Sequence, residues 1–151
     1  MKSFLKLICV TILFSFVMIL AGARSPQWEK VRKDHLKIEP VCQLCGSSKD
    51  LQVHHKKPYH LYPELELVQS NLVTVCTSKA WGFNCHSTIA HGGNFKWENP
   101  WVVEDIAKMK VIASPAYIKA HGTKERDDYI IFVHNRVKVF NVNKIPIPAG
   151  N

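Results

Sequence analysis

The residues Cys42-Gln-Leu-Cys45-Gly46, Val53-His54-His55, Asn71-Leu72, Cys76 and Cys85-His86 follow one another in that order, and the fold turns on how they are read. Two cysteines at Cys-x-x-Cys spacing followed by glycine form a tight turn in which both sulfurs can point at one tetrahedral ion, the signature of a zinc knuckle. Cys76 and Cys85 offer a second pair. The two pairs bracket a histidine pair and an asparagine. Those side chains then sit inside a metal-stapled loop and not on a free surface.

Working outward, Leu51 to His55 alternates as a short strand, with Leu51, Val53 and His55 on one face and Gln52 and His54 on the other. Residues 56–70 read as a loop holding Pro58, Pro63 and Tyr59-His60-Leu61-Tyr62, and Leu72 to Val75 is a second strand. Asn84 suits the cap of a short helix through Cys85, His86 and Ile89 to His91, which Gly92-Gly93 ends in the left-handed conformation of a C-terminal cap. Strand, loop, strand, helix makes a ββα unit. Upstream, residues 25–38 have helical spacing, with Ser25 as cap, Pro26 at the first position, Trp28, Val31 and His35 on one side, and Glu39-Pro40 as the stop. The opposite face carries Lys30, Arg32, Lys33 and Lys37, a cationic surface that suits phosphates and equally suits plain solvent.

Downstream, a helix is expected from Pro100, with Asn99 as cap and Val103, Ile106 and Ala107 as its apolar stripe. Ser114-Pro115 begins a short helical turn that ends near Gly122. Tyr129, Ile131 and Val133, then Val137, Val139 and Val142, alternate and predict a β-hairpin turning at Asn135-Arg136. The fold class is therefore α+β: a small ββα core stapled by a structural zinc and flanked by helices, with a hairpin in the C-terminal extension.

Composition bounds the rest. The chain has 151 residues, 46% hydrophobic and 21% charged, which fits one globular domain with extensions. A formal charge of +8 favours a polyanionic partner, nucleic acid or an anionic membrane. Lys2 and Lys6 precede an uncharged apolar run from Leu7 to Leu20 that ends in Ala21-Gly22-Ala23. That pattern is a secretory signal peptide cleaved near Ala23, or an uncleaved anchor formed by residues 4–23. The expected location is secreted or periplasmic, or tethered to a membrane. Export favours disulfides, and the four remaining cysteines allow three pairings. Disulfides account for neither Gly46 nor a histidine directly after Cys85, so zinc is the preferred reading.

The order Cys-x-x-Cys, His-His, Asn-Leu, Cys, Cys-His resembles the HNH endonucleases of the His-Me finger (ββα-metal) group. Val53-His54-His55, Ser70-Asn71-Leu72-Val-Thr-Val-Cys76 and Asn84-Cys85-His86 fall where that pattern wants them, and His91-Gly-Gly-Asn94 and Asn99-Pro100 look like the single-domain phage and bacterial members. The likeness covers residues 25–110; residues 111–151 form an extension it does not reach. It implies that His55 is the general base activating water, that Asn71 orients the base or its loop, and that His54 and His86 hold a catalytic divalent metal. Magnesium, manganese or another transition ion would fill that role, and Cys42, Cys45, Cys76 and Cys85 would hold zinc. Lys56 and Lys57, directly after the base, would meet phosphates. The implied substrate is DNA, double-stranded and cut with weak sequence preference to leave a 5′-phosphate and a 3′-hydroxyl; no small-molecule substrate is expected.

Two departures stand out. Eight residues, including Lys79, Trp81 and Phe83, separate Cys76 from Cys85 where the family usually has two. His54 stands where many members carry an acid, and a neutral ligand shifts preference toward transition ions. His91 lies five residues beyond His86, an awkward helical spacing for a shared face. His35, His121 and His134 read as surface or core-edge residues, and Trp28, Trp97 and Trp101 as packing. The rival readings are a zinc-stabilised nucleic-acid-binding module without cleavage and a small disulfide-bonded secreted protein.

Overall fold

In the computed structural model, which describes residues 24–143, the two strands expected from the alternation form one antiparallel ladder. Strand β1 (Leu51–His55) pairs with β2 (Leu72–Cys76) in the register Leu51↔Cys76, Val53↔Thr74 and His55↔Leu72. Every residue of β2 is buried, which a continuous β-branched run permits because both faces are covered. Its far edge is covered too. The Thr74 carbonyl accepts from Gln43 N–H (2.9 Å), and Thr74 N–H donates to Glu39 Oε2 (2.8 Å).

Helix α1 (Trp28–Ile38) packs beside the ladder. Ser25 shapes its approach, since its hydroxyl accepts from Gln27 N–H and its carbonyl from Trp28 N–H, so the helix begins at Trp28 and not at Pro26. His35 is buried, with Nδ1 2.9 Å from Gln69 Oε1 and Nε2 3.2 Å from Glu39 Oε2. After β2, a π-helix (Cys85–Ala90) crosses back under the sheet, capped as expected by Asn84, whose Oδ1 accepts from Ser87 N–H at 2.9 Å. The core lies between these elements and α2 (Val102–Ile112), with Leu44, Val75, Ile89, Met109 and Ile112 fully buried.

The cap and stripe of α2 differ from expectation. Asn99 accepts from Trp101 N–H (3.0 Å) in a turn before the helix, which starts at Val102. Its buried stripe is Val102, Ile106, Met109 and Ile112, whereas Val103 is 52% exposed and Ala107 faces solvent. Helix α3 (Pro115–His121) is capped by Ser114 and ends at Gly122, as the sequence suggests.

The C-terminal hairpin is corrected. Residues Lys124–Val142 form one helix, α4. Tyr129, Val133 and Val137 recur every four positions as well as every second one, so the same letters fit both periods. Packing decides: Val133 and Val137 are fully buried, while Ile131 and Val139, the residues a strand would have turned inward with them, are 59% and 58% exposed. At the expected hairpin tip, Arg136 instead donates to the buried Asp105 (2.5 Å), which also accepts from Tyr129 Oη and Asn99 Nδ2 (2.8 Å each). The guanidinium lies 4.2 Å from the Trp101 ring centroid. The leader assigned to residues 1–23 falls outside the described residues; among those described, no helix is long and apolar enough to cross a membrane.

Arg136→Ala strips the ion partner from a buried carboxylate and is expected to cost about 3–5 kcal/mol of stability, read by urea unfolding. A cost near zero would fit an exposed turn instead.

Candidate metal centres and cleft

The four cysteines meet at the Cys76 end of the ladder. Their sulfurs lie within 4.8 Å of one another, Cys45 to Cys76 at 3.4 Å, and no disulfide joins them. In the knuckle, Cys42 N–H donates to the Ser47 carbonyl and Gly46 N–H to the Cys42 carbonyl. Gly46 takes φ +73°, a conformation that favours glycine. The longer loop between Cys76 and Cys85 is anchored by Phe83, buried in the core with Trp81 packed against it, which returns Cys85 to the cluster.

Thiols this close compete for charge. A hydrogen bond from Cys85 brings Cys42 down to about 5, burial pushes Cys45 up to about 12, and its bond to Cys42 drives Cys85 up further. A divalent cation removes that conflict, and tetrahedral zinc with sulfurs at about 2.3 Å separates them by roughly 3.8 Å. The set fits zinc.

A second cluster lies at the other end. The ligand nitrogens of His54, His86 and His91 fall within 4.8 Å of one another. Ring centroids are 5.4 Å apart for His54–His86, 4.7 Å for His54–His91 and 4.8 Å for His86–His91. Sequence reasoning set His91 aside on a spacing argument that assumed an α-helix. The segment winds as a π-helix: His91 N–H donates to the His86 carbonyl at 3.2 Å, so five residues complete one turn. His60 lines the cleft but lies outside the triad.

All three imidazoles are held neutral. Burial pushes His54 well below its usual value, with His91 and His86 adding to it, takes His86 down to about 4, and lowers His91. His91 Nδ1 donates to the Trp97 carbonyl (3.3 Å), which leaves Nε2 with its lone pair. Three neutral nitrogens facing one point can hold a metal ion.

His55 parts from its neighbour, as strand alternation requires. Its ring stacks on Trp28 at 4.5 Å between centroids. Nε2 lies 2.9 Å from the Glu66 carbonyl oxygen. A carbonyl can only accept, so Nε2 carries the proton and Nδ1 is the acceptor. Burial lowers the pKa of this ring and Arg24 lowers it further, against the bond to Glu66. Asn71 ties down the loop that carries Glu66: Nδ2 donates to the carbonyls of Lys57 (3.0 Å) and Leu65 (3.2 Å), and Oδ1 accepts from Lys57 N–H (2.9 Å).

His54, His55, His86 and His91 line one cleft of about 470 Å³ with Trp28, Tyr59 and Phe95. Its cations are Arg24 and Arg32. Lys56 turns its ammonium to the Ser70 carbonyl (2.9 Å) and Lys57 lies 5.4 Å from the Tyr62 ring centroid; neither lines the cleft.

Residues 42–92 match the HNH endonuclease family model. The HNH resemblance of the motifs and the ββα core is thereby borne out, and the match spans both cysteine pairs and the whole histidine cluster. HNH endonucleases are nucleases that work with divalent metals, so the match supports a nuclease-type site acting on nucleic acid. No curated protein and no solved structure gave a significant match to the chain.

One zinc per chain is expected to survive dialysis, and Cys42→Ser to lose it together with the folded state, read by metal analysis and circular dichroism. At the histidine cluster, His91→Ala is expected to weaken ion binding by more than about tenfold, and His60→Ala to leave it near the parent value, by calorimetry of zinc-loaded protein.

Proposed function

We propose that the protein is a metal-dependent DNA endonuclease in which His55 is the general base. The observation that carries this reading is the contrast between adjacent residues: His54 belongs to a three-imidazole cluster, while His55 lines the same cleft with a ring fixed by Trp28 and by Glu66, whose carbonyl leaves Nδ1 as the acceptor. Nδ1 would take a proton from water as its oxygen attacks phosphorus in line with the leaving 3′-oxygen, giving a 5′-phosphate and a 3′-hydroxyl. Such acid–base help contributes about 10²–10⁴-fold. When bound to His54, His86 and His91, a divalent ion supplies Lewis-acid stabilisation of the charge developing on phosphate and leaving group. Neutral nitrogen ligands favour manganese, nickel or zinc over magnesium there.

Asn71 is a positioning residue in this scheme, since it holds the loop whose Glu66 carbonyl sets the tautomer of His55. Arg24 and Arg32 are the cations best placed for backbone phosphates, with Lys56 and Lys57 beyond the cleft wall. Phosphate-dominated contact implies weak sequence preference on duplex DNA and affinity that falls steeply with salt. Residues 1–23 would direct the chain out of the cytoplasm or tether it to a membrane, on the strength of their charge and apolar pattern.

Plasmid nicking with manganese, nickel or magnesium, beside EDTA, tests the activity. Metal-dependent cleavage is expected, reduced at least about 10²-fold in His55→Ala with metal binding retained. DNA binding without cleavage in any metal would replace the nuclease with a zinc-stabilised binding module.

A further inference from the structure

Helix α4 lies outside the segment that matches the family, yet it grips the stretch 89–99 at several points. His134 Nδ1 donates to the Gly92 carbonyl at 2.9 Å, and its ring centroid is 5.6 Å from that of Trp97. Asn141 brackets Glu98: Oδ1 accepts from Glu98 N–H at 3.0 Å and Nδ2 donates to the Glu98 carbonyl at 2.8 Å. Val137 presses on Gly92 so closely that a Cβ there would come within 2.7 Å of it, and Gly92 adopts φ +57°. Arg136 reaches the same stretch through Asp105 and Asn99, whose Nδ2 also donates to the Ile89 carbonyl at 2.9 Å inside the π-helix.

These contacts surround one residue. Gly92 follows His91 directly. The Trp97 carbonyl receives the His91 Nδ1–H, and Glu98 fixes the chain just beyond Trp97. His54 is placed by the β-ladder and His86 by the π-helix it starts. His91 is the C-cap of that helix, held to it only through its N–H on the His86 carbonyl, and the chain leaves through two glycines directly after it.

We propose that α4 clamps the third metal ligand, with His134 and Asn141 as positioning residues that set His91, so that ion affinity at the histidine cluster depends on a helix outside the HNH segment. The inference rests on the cluster being the metal centre proposed above. Its physical basis is a population argument: apparent affinity falls by the fraction of time the ligand spends out of place. Loosening the 91–98 turn lets Nε2 wander and raises that fraction. His134 is largely at the surface and Asn141 half-buried, so neither substitution opens the core.

The test is calorimetric titration of the zinc-loaded full chain with nickel, alongside His134→Ala, Asn141→Ala and His134→Asn. Each alanine variant is expected to bind nickel about tenfold more weakly while keeping its zinc and its far-ultraviolet spectrum. His134→Asn, whose Nδ2 can take the place of Nδ1 as donor to Gly92, is expected to recover most of the affinity. Cleavage by the alanine variants should return to the parent rate at saturating metal, the mark of a binding defect and not a chemical one. Unchanged nickel affinity in both alanine variants would overturn the clamp and leave the metal centre standing. Zinc loss in parallel with nickel loss would overturn it in favour of a general structural role. A parent that takes up zinc at the cysteines and no nickel would overturn the metal centre and the clamp together.

Discussion

The antiparallel pairing of Leu51–His55 with Leu72–Cys76 is the constraint on which the rest of the molecule depends. A ladder of five pairs, about 17 Å long, is too small to stand alone in water. Here its two ends are secured by different chemistry. At the Cys76 end four sulfurs converge; at the His55 end Asn71 binds the loop between the strands, and Lys56 N–H donates to the Asn71 carbonyl at 2.8 Å. The register matters because side chains alternate: a slip by one residue would exchange the surroundings of His54 and His55. Pinning both ends of the ladder therefore fixes which way each of the two histidines faces.

The π-helix carries this assignment across the molecule. Cys85 and His86 are neighbours in sequence, yet one faces the sulfurs and the other the imidazoles, so a single turn belongs to both clusters. The clusters differ in how they treat charge. Crowded thiols divide into those pushed up and one pulled down, whereas burial keeps the three imidazoles neutral and ready as ligands.

Much of this was legible in the sequence. Cysteine spacing, the His-His pair, the Asn84 cap and the two strands were readable because each is a local pattern with a local cause. What was not legible depended on packing between distant parts. His91 was discounted because spacing of five is wrong for an α-helix, and nothing local announces a π turn. The hairpin at 129–142 failed because Tyr129, Val133 and Val137 satisfy two periods, and only burial against the ββα core chooses one. Arg24 and Arg32 proved to be the cations of the cleft, although Lys56 and Lys57 lie nearer His55 in sequence, because α1 folds over the ladder and the loop after β1 turns its lysines away.

Both His55 and His91 owe their tautomers to carbonyl oxygens, those of Glu66 and Trp97, and not to carboxylates. A main-chain oxygen survives every change of side chain at its own position. The orienting groups of this site are thus shielded from mutational drift, provided the loops keep their course. They are also invisible to any comparison based on residue identity. Divergent relatives could keep the same proton geometry around these rings while sharing no letter at positions 66 and 97.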